Sequence, residues 1–63
     1  MYKLLKIPPN GKRSEISASF DPAGLIILGE LFAKTHPGLQ FGVSDELGYF
    51  VWPERLANAN KDS

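Results

Sequence analysis

The sequence predicts an α+β domain in the order strand, strand, helix, strand, strand, with one helix packed on one face of a four-stranded, mainly antiparallel sheet. Three observations carry that expectation. Apolar and polar residues alternate over Ser14–Phe20, a helix is marked at both ends between Asp21 and Pro37, and two apolar runs flank Asp45-Glu46-Leu47-Gly48. With 63 residues there is room for a single domain, expected over residues 1–53 and followed by a polar, flexible tail over 54–63.

Tyr2–Ile7 reads as the first strand, and Pro8-Pro9-Asn10-Gly11 ends it with two prolines and an Asn-Gly pair suited to positive φ. In the strand Ser14–Phe20, Ile16, Ala18 and Phe20 fall on one face and Glu15, Ser17 and Ser19 on the other. Asp21-Pro22 then starts a helix: the Asp carboxylate accepts a free first-turn N–H, and Pro lacks a donor that would otherwise go unpaired. The helix is expected over Pro22–His36, ending where Pro37-Gly38 opposes helical geometry and supplies an exit turn. Leu39–Ser44 and Tyr49–Trp52 form a second hairpin, with Ser44 opposite Tyr49, Val43 opposite Phe50 and Phe41 opposite Trp52. A helix crossing over the sheet seats the third strand beside the first, in the order 2-1-3-4, or beside the second.

At about 100° per residue, Leu25, Ile27, Leu28, Leu31 and Phe32 share one side of the helix and form the expected core stripe. Ile26, Gly29 and Ala33 make a second patch. Gly29 costs about 1 kcal/mol of helix stability relative to Ala, so close packing against another backbone is expected there. Either a loop or tail of this chain covers that patch, or a second copy does so as a two-fold homodimer. If Leu5 and Ile7 point inward, then Tyr2, Leu4, Tyr49 and Val51 belong to the outer sheet face as a protein-binding patch, or serve only to stabilise the sheet by cross-strand packing.

Seven basic and seven acidic side chains cancel, which removes the general phosphate attraction of a strongly basic domain. Locally, Lys3, Lys6, Lys12 and Arg13 gather four cations in the first thirteen residues. With the tyrosines of an open sheet they make nucleic-acid binding the alternative reading; their plain role is to solubilise a sheet edge. Without cysteine there is no disulfide, thiolate zinc site or cysteine nucleophile, a composition that fits a reducing cytoplasm. His36 sits where a cation meets the negative end of a helix dipole. No nucleophile elbow, calcium-loop spacing or phosphate loop surrounds it or Asp45-Glu46. The expectation is therefore a regulator, adaptor or inhibitor that binds a protein partner, with no catalytic residue, metal or cofactor and no membrane span.

Overall fold

The computed structural model describes residues 1–61. Its elements are β1 (Tyr2–Ile7), β2 (Ser14–Ser19), α1 (Pro22–Thr35), β3 (Gln40–Ser44), β4 (Phe50–Trp52) and α2 (Glu54–Lys61). All pairings are antiparallel, in the strand order β2-β1-β3-β4. The predicted ββαββ order and the 2-1-3-4 arrangement are thus both present. The tail reading changes: Glu54–Lys61 is a helix, while Asp62 and Ser63 lie outside the described residues.

Local chemistry sets the element boundaries. The Asp21 carboxylate accepts from the Ala23 N–H at 3.0 Å and Pro22 occupies the first turn, as its missing donor allows. At the other end His36 caps α1, its N–H donating to the Phe32 carbonyl at 2.8 Å. In the first turn the Gly11 N–H donates to the Pro8 carbonyl at 2.8 Å, with Gly11 at φ +82°, where a side chain would be strained. The second hairpin is held by Asp45, whose Oδ1 accepts from the Leu47 and Tyr49 N–H groups at 2.9 and 3.0 Å. Such a local acceptor satisfies donors that the short strands leave free.

Two register shifts decide which residues meet. Between β1 and β2, Leu4 pairs with Ser17 but Leu5 pairs with Glu15, leaving Ile16 as the extra residue. Between β3 and β4, Val43 pairs with Trp52 and Ser44 with Phe50, leaving Val51 extra. The expected Val43–Phe50 and Phe41–Trp52 pairs therefore do not form. Trp52 stays on the face of Leu4, Phe41 and Val43, while Phe50 passes to the opposite one.

The main core lies between α1 and that first face. Leu4, Leu25, Phe41 and Val43 are buried, with Tyr2, Ile26, Phe32, Leu39 and Trp52 packed against them. Phe32 and Phe41 stack with ring centroids 5.7 Å apart. Gly29 sets the closeness of the helix: a Cβ built there would lie 2.7 Å from Trp52 Cζ3 and 3.3 Å from Leu4 Cδ1. This overturns two expectations. Leu4 is 0% exposed, so it belongs to the core and not to an outer patch, and Leu5 pairs across to Gly42 on the other face. The helix is also turned: Gly29 and Ile26 face inward, while Ile27, Leu28 and Leu31 of the predicted core stripe are exposed.

The second face is covered as well. A Cβ at Gly42 would meet the Phe50 ring at 2.7 Å and Leu56 Cδ1 of α2 at 3.1 Å, so that glycine is the floor on which both side chains rest. Arg13 places its guanidinium 4.9 Å from the Phe50 ring centroid, an attraction worth roughly 0.5–1 kcal/mol where solvent reaches it. Lys3 pairs with Glu15 across the β1–β2 ladder at 3.5 Å.

The two glycines of α1 should respond with opposite sign to the same substitution. Gly24 has open space where its Cβ would go, so Gly24→Ala should gain up to about 1 kcal/mol from helix propensity. In Gly29→Ala the same gain meets overpacking of about 1–3 kcal/mol against a rigid indole, and the balance should be destabilising. Urea midpoints at constant m-value should therefore run Gly24→Ala above wild type above Gly29→Ala. A Gly29→Ala midpoint equal to that of Gly24→Ala would contradict the helix orientation described.

Candidate protein-binding surface

Since Gly29 takes the α1 side nearest Trp52, helical periodicity carries Ile27 and Leu31 around to the side away from the sheet. They are 60% and 54% exposed and sit four residues apart, hence adjacent on the helix surface. Leu28, 39% exposed, lies between them and Phe32, on the flank opposite the Trp52 contact. Ahead of the cap, Phe20 is 80% exposed. A small domain that leaves these four large apolar side chains in water loses solubility and gains nothing in its own core.

Beside the Leu28 flank, Lys6, Ile16, Phe32, His36, Leu39 and Phe41 line a cleft of about 350 Å³ between β2 and the end of α1. The extra residue of the β1–β2 ladder explains the presence of Ile16. Without the shift, strict alternation would turn it to the opposite face from Ser17. His36 closes one end of the cleft as a structural group: its Nδ1 lies 2.9 Å from the Thr35 hydroxyl, and its ring stands edge-on to Phe41 at 6.5 Å.

The residues singled out from the sequence divide as follows. Ile26 and Gly29 are in contact with the core and Ala33 is exposed, so the three do not form one open patch. Tyr2 packs against the core beneath α1, on the face of Leu4, whereas Tyr49 and Val51 remain exposed at the second hairpin. The cations are split between faces. Lys3 engages Glu15 on the α2 side, Lys6 lines the cleft on the α1 side, and Lys12 and Arg13 lie exposed where the first turn enters β2.

The exposed stripe Ile27, Leu28 and Leu31 is legible in the sequence as apolar periodicity, which by itself reads as core. The signal that would have reversed it is Gly29, whose missing Cβ marks the side of closest approach. Comparison with protein-family models, with curated proteins and with solved structures gives no match. Among the described residues, no helix is long and apolar enough to cross a membrane.

Stability measurements separate the inner from the outer leucines. Leu4→Ala should cost about 2–5 kcal/mol, the range for emptying a filled core site. Ile27→Lys combined with Leu31→Lys should shift stability by no more than about 1 kcal/mol, because both sites already face water. Chemical denaturation followed by tryptophan fluorescence reads both, and a double variant as damaged as Leu4→Ala would place the stripe in the core after all.

Proposed function

We propose that the protein acts as a small non-enzymatic binding module, a regulator, adaptor or inhibitor that engages a protein partner through the outward apolar stripe of α1. The observation that supports this reading is the solvent exposure of Ile27 and Leu31 on a helix whose opposite side already supplies Leu25, Gly29 and Phe32 to the core. An apolar helix face of this kind suits a hydrophobic groove or another helix on the partner, with side chains three and four residues apart as anchors. Glu30 and Lys34 border the stripe and are exposed, giving it the polar margin common at transient interfaces. The absence of cysteine is in keeping with work in a reducing cytoplasm.

Nucleic-acid binding receives less support from the geometry. Its four candidate cations do not share a face, Lys3 is already paired with Glu15, and Tyr2 is packed against the core. Formal neutrality leaves only the local Lys12-Arg13 pair to attract phosphate.

Affinity capture from a native extract, with partners identified by mass spectrometry, tests the reading. Wild type should retain a reproducible protein that the folded Ile27→Lys, Leu31→Lys double variant loses, and added mixed-sequence single-stranded DNA should not displace it. Capture of the same proteins by the double variant would remove the stripe from consideration. Retention of oligonucleotide in a salt-sensitive manner would instead move the function to the Lys12-Arg13 end.

A further inference from the structure

The sheet has two edges, and they differ. β4 spans only three residues, contains the extra residue Val51, and runs directly into Pro53 and α2. β2 spans six residues, Ser14-Glu15-Ile16-Ser17-Ala18-Ser19, and carries neither proline nor lysine within the strand. Its one charge, Glu15, is drawn to Lys3 of β1. Edge strands are ordinarily kept from pairing by proline, lysine, bulges or short length; both edges carry a bulge, but β4 is in addition short and followed at once by proline, so β2 is the edge better able to accept another strand. The bulge at Ile16 disturbs its start, whereas Ser17, Ala18 and Ser19 pair regularly with Leu4, Lys3 and Tyr2.

The ends of β2 carry opposite charge. Lys12 precedes it and Asp21 follows it, both exposed, while the Arg13 guanidinium is turned inward over Phe50. An antiparallel partner of the same sequence, centred near Ser17, sets its Asp21 near Lys12 of the first chain, and the two-fold axis repeats the contact. With the axis perpendicular to the sheet, both α1 helices stay on one face. Parallel pairing would bring like charges together at both ends.

We propose that a second copy of this chain docks on the β2 edge, the two β2 strands pairing antiparallel about a two-fold axis near Ser17 and doubling the four-stranded sheet. The charge complementarity of the strand ends selects this occupant over an unrelated extended peptide, and the added layer enlarges a core that a chain of this length leaves thin. The surface is separate from the Ile27 and Leu31 stripe, so each can fail without the other.

The test is light-scattering mass across a concentration series for four samples: wild type, Lys12→Glu, Asp21→Lys, and an equimolar mixture of the two variants. Wild type should form a concentration-dependent dimer. Each variant alone places like charges at both contacts and should dissociate at least about tenfold more readily, whereas in the mixture every contact is again between opposite charges and dimer mass should return. Asp21→Lys also removes the α1 cap; if circular dichroism shows helix loss, Asp21→Asn keeps the cap, removes the charge, and should weaken the dimer to a smaller degree. Amide exchange at Ser17–Ser19 should slow as wild-type concentration rises. A wild-type monomer throughout, a dimer indifferent to both charge variants, or a mixture that stays monomeric would each overturn the proposal. Capture through Ile27 and Leu31 would be unaffected by any of these results.

Discussion

The contact between Gly29 and the Trp52 indole fixes the rest of the arrangement. With no Cβ at Gly29, the ring edge of Trp52 and the tip of Leu4 reach the helix backbone, and α1 settles with that side down. Rotation about the helix axis is then no longer free. Leu25 and Phe32, one turn before and one turn after Gly29 on the same flank of the helix, go into the core, and Phe32 stacks on Phe41. Ile27 and Leu31, on the far side, have no intramolecular layer left to cover them. The roughly 1 kcal/mol by which glycine weakens a helix is offset by the dispersion contacts that a close indole makes with backbone and leucine.

A second constraint acts from the opposite face. The extra residue Val51 allows Trp52 to keep its place under α1 while Phe50 turns to Gly42, and α2 brings Leu56 onto the same floor. One short strand therefore supplies an aromatic to each side of the sheet. For a chain of this length, without disulfides, covering both faces recruits more apolar area than a single helix layer would provide. The arrangement also holds Arg13, at the start of β2, against Phe50, so the first turn is tied to the last strand.

These constraints place the unused apolar groups. The core needs one side of α1, so the other stays exposed, and it is this side that we propose a partner engages. The sheet is closed at β4 by the turn into α2 and remains open at β2. The proposed interaction surfaces are what remains after the core has taken its share, and they lie on regular elements held by a helix cap at Asp21 and a side-chain-stapled turn at Asp45. Such surfaces are presented with little ordering cost on binding.

Sequence by itself determined the fold class, the order of the first five elements, the 2-1-3-4 sheet order as one of two solutions, and the limits of α1. Those features rest on local chemistry, through caps, proline geometry and turn-forming pairs, and on a helix that must cross one face of the sheet. Tertiary structure decided which way each element faced. α1 is apolar on more than one side and β1 carries Leu4 and Leu5 in succession, so periodicity alone offered two rotations of the helix and two phases of the strand. The choice depended on Trp52 meeting Gly29 and on bulges at Ile16 and Val51, contacts between residues far apart in the chain. α2 depends on tertiary structure for the same reason, since its polar sequence gains helical order by setting Leu56 against a sheet face that only the assembled fold presents.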